Sequence, residues 1–193
     1  YKKDGEVQPE DFDVETRFTA ELEGLELEFE ARKGLFSPQK LDDGTRLLLV
    51  NIDLSADEDV LDLACGYGIA GIFLKNLYDV ESAFTDDNAT ATHYAERNLE
   101  LNSIDEYELK NRDCLDGIDR GFDAIVSNPP THQGSGVTDE MFKEAHSHLR
   151  SGGSLYIVYN QNMKFREQLS GLFAKTEVLE DKSNYQVLRA EKL

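Results

Sequence analysis

Tryptophan is absent from the 193 residues, cysteine occurs twice and proline four times. Cys65 and Cys114 form no C-x-x-C pair, so neither a disulfide framework nor a zinc site is expected. His93, His132, His146 and His148 are scattered, and the last two stand two apart on a helical stretch, where they cannot share a face. No metal is expected. No run of about eighteen apolar residues exists to cross a bilayer. The opening YKKDGEVQPEDFDVE is acidic where a secretory segment would be apolar. A soluble, cytoplasmic protein with no membrane partner is expected.

Positive charge is also scarce. Twenty Lys and Arg face 39 Asp and Glu, for a net charge of −19, with a mean hydropathy of −0.52. At ordinary salt a nucleic-acid binder carries a basic footprint, because neutralising phosphates supplies much of its affinity. This composition argues the reverse. Acidic excess spread over the whole chain resembles that of salt-loving archaeal proteins, and a halophilic archaeal source is expected. At molar salt the Debye length falls to about 3 Å, so self-repulsion and phosphate attraction both fade. An RNA partner is then less excluded than the charge suggests.

The length is that of one domain with a complete core, and residues 1–193 are read as such. Residues 1–16 are acidic and aperiodic, which predicts a flexible lead-in. Residues 18–30 alternate apolar and polar on both sides of Gly24, predicting an N-terminal β-hairpin appendage within 17–34. GLFSPQKLDDGT is a loop running into the helical TRLLLVNI, and Asp42 and Asp43 suit its start. From Asp59 on, strands at 60–64, 80–85, 107–110, 122–126 and 154–158 alternate with helices at 69–77, 89–101, 138–149 and 163–173. The pattern predicts an α/β, Rossmann-like doubly wound sheet, mostly parallel. Strands at 176–179 and 185–190 are joined only by the short turn 180–184, so they must be antiparallel. Seven strands result, with an antiparallel C-terminal strand.

DLACGYGIAG, residues 62–71, is a strand, a glycine turn and a helix start, and contains G-x-G-x-x-G. Such a turn lets a ligand approach the backbone beside free helix N–H groups, and suits a dinucleotide pyrophosphate or S-adenosylmethionine. The neighbours decide. Asp62 would attract the ligand's cationic amino group and repel a pyrophosphate. Asp86 and Asp87, after the second strand, are placed for ribose hydroxyls, which suits either cofactor. Asp113 at the end of the third strand reads as an acceptor for an adenine amine or as a turn cap. The fourth strand ends in SNPPTHQG. Two prolines fix an extended path without donors, so the Asn128 side-chain oxygen and the Pro129 carbonyl can hold both hydrogens of an amino group. Its lone pair can then attack a methyl sulfonium without a strong base.

With those residues in hand, the chain resembles the class I S-adenosylmethionine-dependent methyltransferases. Within them it is similar to the methyltransferase small domain family, typified by RsmC-like ribosomal RNA guanine-N2 enzymes. The resemblance runs from about Arg17 to Leu193 and rests on GLFS with DDGT, DLACGYG, TDDN, RDC, NPPTHQG and the closing YQVLRA. It implies that Asp62, Ala64, Gly66 and Gly68 line the methionine end of the cofactor, Asp86 and Asp87 the ribose, and Asp113 and Cys114 the adenine. Asn128, itself beside the cofactor, and Pro129 would be the catalytic pair, with Pro130, Thr131, His132 and Phe36 on the substrate. The implied partner is RNA, most readily ribosomal RNA. Ala64 stands where the family usually has glycine. Thr131 stands where many relatives carry an aromatic, so Phe36 is the stacking candidate. A protein glutamine methyltransferase, a non-catalytic binding module and an NAD-dependent oxidoreductase are the rival readings.

Overall fold

The computed structural model describes residues 16–115, 117–130 and 135–193. Apart from Thr16, the lead-in lies outside them, as do Thr131 and His132. Strands β1 (Thr16–Leu22) and β2 (Leu25–Ala31) form an antiparallel hairpin. Its two-residue turn, Glu23–Gly24, has both φ positive, at 51° and 80°, the twist that suits a tight hairpin. Helix α1 (Asp43–Leu49) follows, with Asp42 as N-cap, accepting from Thr45 N.

The remaining elements are β3 (Asp59–Leu63), α2 (Ile69–Tyr78), β4 (Glu81–Asp86), α3 (Ala89–Leu101), β5 (Glu108–Asn111), β6 (Phe122–Ser127), α4 (Ser135–His148), β7 (Leu149–Asn160), α5 (Phe165–Ser170), β8 (Lys175–Lys182) and β9 (Tyr185–Glu191). Seven strands form one sheet in the order β5-β4-β3-β6-β7-β9-β8. Pairing from β5 through β7 is parallel, while β9 runs antiparallel to both neighbours. The predicted α/β sheet is the observed one. The chain leaves β3 for β4 on one side and returns to β6 on the other, so the strand order reverses there. In such sheets ligands bind at that point, beyond the C-terminal ends of the strands.

Alternation along each strand divides the core between two faces. Val60, Phe84, Val126 and Val158 pack with α1, α2, α3 and the hairpin. Leu61, Leu63, Ile125 and Ile157 pack with α4 and α5. Burying each such side chain contributes about 1.5–3 kcal/mol.

The hairpin is more than an appendage. Phe29 is fully buried and packs on Phe18, Phe73 and Tyr67, with ring centroids 5.8–6.2 Å away. Tyr67 belongs to the glycine turn, so the hairpin supports the site directly.

Several boundaries differ from expectation, each for a local reason. Strand β7 begins at Leu149, which pairs with Phe122 before a register shift. Its glycine-bearing start hid this from the periodicity. Strand β8 runs to Lys182, so the turn is Ser183–Asn184 rather than 180–184; the register shifts between Val178 and Glu180 and breaks the alternation there. Helix α5 ends at Ser170 because Gly171 N and Leu172 N reach back only three residues, to Gln168 O and Leu169 O.

Candidate active site

Three turns at the C-terminal ends of β3, β4 and β6 converge at the reversal point. In the turn after β3, Gly66 and Gly68 have φ of 58° and 85°, and Ala64 also lies in the left-handed region at 57°. A non-glycine residue there costs about 1–2 kcal/mol, so Ala64 is tolerated with strain.

Gly71 has a different role from the other two. A Cβ at this position would lie 2.3 Å from Phe84 Cε1 and 3.1 Å from Asp62 Cβ. The third glycine therefore serves close packing of helix on strand.

Asp86 is the anchor of the turn. Its Oδ2 accepts from Gly66 N at 2.7 Å and its Oδ1 from Asn88 N at 2.9 Å. Burial raises its pKa, and the two backbone donors oppose the shift. Cys65 N donates to Thr85 O, and Ser127 Oγ donates to Leu63 O at 2.7 Å, tying the ends of β3, β4 and β6 together.

The cleft in front of the turn is walled by Leu63, Ala64, Thr85, Asp86, Asp87, Arg112, Asp113, Cys114, Pro130, Val137 and Met141. It unites the predicted Ala64, Asp86, Asp87, Asp113, Cys114 and Pro130. Burial, followed by Glu144 and Asp113, pushes the Cys114 thiol up to about 12, so it stays neutral as a packing surface.

Asp62 stands behind the turn and is not among the cleft-lining residues. Its side chain is 3% exposed and lies beneath α2, accepting from Gly71 N at 2.8 Å. Alternation explains this, since Leu63 takes the cleft side and Asp62 the helix side. Burial raises its pKa to about 7, the Gly71 hydrogen bond lowers it, and Asp86 raises it further.

Asn128 follows β6 directly. Its Nδ2 donates to Thr45 Oγ1 at 3.0 Å and to Asp42 Oδ2 at 3.4 Å. Pro129 is buried and Pro130 half-buried on the cleft wall. Phe36 is 62% exposed, and its neighbour Ser37 accepts through its carbonyl from Tyr67 Oη at 3.0 Å. That bond places the loop against the glycine turn. Leu63, Thr85, Arg112, Val137 and Met141 are cleft residues that the sequence reading missed. Val137 and Met141 had only a helical period to report; Leu63, Thr85 and Arg112 lie inside the quoted DLACGYG, TDDN and RDC, where the neighbouring carboxylates and glycines took the assignment.

The donor set fits S-adenosylmethionine. The carboxylates of Asp86, Asp87 and Asp113 suit hydroxyls, an amine and a cation, and would repel a pyrophosphate. Thr85, 1% exposed, has an Oγ1 with no hydrogen-bond partner among the described residues. No three His, Cys, Asp or Glu among the described residues are grouped to hold a metal ion. No helix among them is long and apolar enough to cross a membrane.

Residues 26–189 match the family model described as Methyltransferase small domain. The chain is 34% identical over 180 residues to Ribosomal RNA large subunit methyltransferase G of Aeromonas hydrophila, covering 89% of the chain and 47% of that protein. It is 30% identical over 204 residues to the protein of the same name from Shewanella halifaxensis, covering 98% of the chain and 48% of the relative. It thus spans about half the length of the curated relatives it matches. Among solved structures it resembles the Thermus thermophilus 16S rRNA N2 G1207 methyltransferase (RsmC) in complex with AdoMet and guanosine. There the TM-score is 0.85 and the identity 28%, over 92% of this chain and 50% of that one. The chain belongs to the methyltransferase small domain family, a methyltransferase domain whose cofactor is S-adenosylmethionine.

Proposed function

We propose that the chain methylates an exocyclic amine of RNA, with guanine N2 of ribosomal RNA as the target, in a high-salt cell. The observation that carries this reading is the N-P-P segment leaving β6 beside the glycine turn, with Pro130 on the same wall as Ala64, Asp86 and Cys114. Relatives named as ribosomal RNA methyltransferases, and a neighbour whose title names N2 of a guanine, support the substrate. The charge of −19 supports the salt.

When bound, S-adenosylmethionine supplies a methyl group on a cationic sulfur. Asp86 and Asp87 would hold its ribose hydroxyls, Asp113 and Cys114 its adenine, and the backbone of 64–68 its methionine end. Asn128 Oδ1 and the Pro129 carbonyl accept the two hydrogens of the target amine. Held so, the nitrogen keeps its lone pair out of conjugation and aimed at the methyl group. Catalysis rests on proximity and orientation, and the proton leaves to water after transfer. Phe36, exposed on a loop fixed to Tyr67, stacks the target base in place of the aromatic that Thr131 replaces, and Thr131 and His132, which lie outside the described residues, are the further substrate contacts of this reading.

The test is methyl-label transfer from S-adenosylmethionine in molar KCl to unmodified transcripts of small- and large-subunit ribosomal RNA. Asn128→Ala is expected to leave cofactor affinity within about threefold and to lower turnover by about a hundredfold or more. Undiminished turnover in that variant removes the assignment of the site. Label in protein instead of RNA would favour glutamine methylation, and label in neither a binding module.

A further inference from the structure

The DDGT motif starts helix α1 and also meets Asn128 in space. We propose that Asp42 and Thr45 are positioning residues that fix the side-chain amide of Asn128, an inference that rests on the reading of Asn128 as the amine-holding residue.

The geometry fixes which end of the amide faces which way. An ionised carboxylate can only accept, so the edge of Asn128 turned toward Asp42 Oδ2 must be its NH₂. That NH₂ reaches Thr45 Oγ1 at 3.0 Å with Asp42 Oδ2 behind it at 3.4 Å. The opposite end, Oδ1, accepts from no described residue and is left for the substrate amine. An amide flipped by 180° would set its oxygen against the Asp42 carboxylate and turn N–H groups toward the target amine, whose own hydrogens would then lack an acceptor. The flip therefore costs turnover at both ends.

The acceptors are themselves held. Asp42 Oδ2 accepts from Thr45 N at 3.0 Å, and Thr45 is buried. At Gly44 a Cβ would lie 2.9 Å from Tyr185 Cε1 and 3.0 Å from Asp42 Oδ2. The glycine thus lets the first turn of α1 approach Tyr185, the first residue of β9. Asp42, Gly44 and Thr45 together carry the orientation of Asn128 from β9 through α1 to the end of β6.

Thr45→Val removes the hydroxyl acceptor, keeps the shape and leaves the Asp42 cap in place; Thr45→Ser keeps the acceptor. With the RNA transcripts above, Thr45→Val is expected to lower kcat about tenfold. Cofactor affinity should stay within twofold, and Thr45→Ser should restore kcat to within about threefold. In an Asn128→Ala background, Thr45→Val should cause no further loss, because Thr45 acts only through Asn128. An equal loss in both backgrounds, or no loss in either, overturns the proposal. Should Asn128→Ala itself retain full turnover, the reading of the site fails first and this inference with it. An activity-independent arm uses ¹⁵N-labelled protein, in which the Asn128 side-chain amide pair is identified by its disappearance in Asn128→Ala. Its hydrogens should exchange at least tenfold faster in Thr45→Val than in the unaltered protein, and an unchanged rate overturns the proposal.

Discussion

Asp62 shows how far one side chain's environment can move its chemistry. Its folded pKa of about 7 lies above that of an unfolded aspartate. The folded state therefore binds the extra proton, and stability falls as pH rises from about 4 through 7, by on the order of 4 kcal/mol in total. Asp62→Asn should raise the unfolding free energy at pH 8 by about 2 kcal/mol more than at pH 5, read by guanidinium titration. Gly71 is the second case. Gly71→Ala drives a Cβ to 2.3 Å from Phe84 and should cost about 3 kcal/mol in the same unfolding assay. The glycine was legible as part of a loop motif; its packing reason was not, because Phe84 lies thirteen positions away on another strand.

At the scale of elements, the hairpin and α3 are joined through one buried asparagine. Asn98 Oδ1 accepts from Glu30 N at 2.7 Å, while its Nδ2 donates to Glu30 O and Tyr67 O, each at 2.9 Å. Arg97 adds an ion pair to Glu30 at 2.6 Å. Asn98→Ala leaves buried partners unsatisfied and should cost about 2–4 kcal/mol. The measurement is amide exchange, which should accelerate over Thr16–Ala31 before the central strands if the asparagine is the anchor. Strand and helix order was readable because alternation switches cleanly between periods of two and 3.6. Asn98, however, sits inside an ordinary amphipathic helix, and nothing local marks it as the link to residues 68 positions earlier.

Over the whole molecule, charge is arranged by end of the sheet. Near the N-terminal ends of β3, β5 and β6, Arg120 pairs with Asp59 at 2.5 Å and Glu108 at 3.0 Å, and Arg150 pairs with Asp59 and with Asp123 at 2.5 Å. Burial alone would raise Asp59, but hydrogen bonds from Arg150 and Arg120 outweigh it and hold its pKa below the usual range. Its contribution is therefore present at neutral pH and lost on acidification. The excess of acid elsewhere is a net repulsion that salt relieves. The melting temperature should rise by at least about 6 °C between 0.1 and 2 M KCl, about 2 kcal/mol for a chain of this size. A melting point that is flat or falling with KCl would remove the high-salt reading.

The sequence by itself determined the sheet, its antiparallel finish and the three strand-end turns that carry the cleft. Hydrophobic period, glycine turns and the N-P-P run are local properties that act within a few residues of where they are written. Only the tertiary structure decided that Asp62 lies beneath a helix, that the hairpin braces the glycine turn, and that Asp42 and Thr45 face Asn128. Those contacts join residues as much as 86 positions apart, and the packing of separate elements, which no short spacing encodes, brings them together.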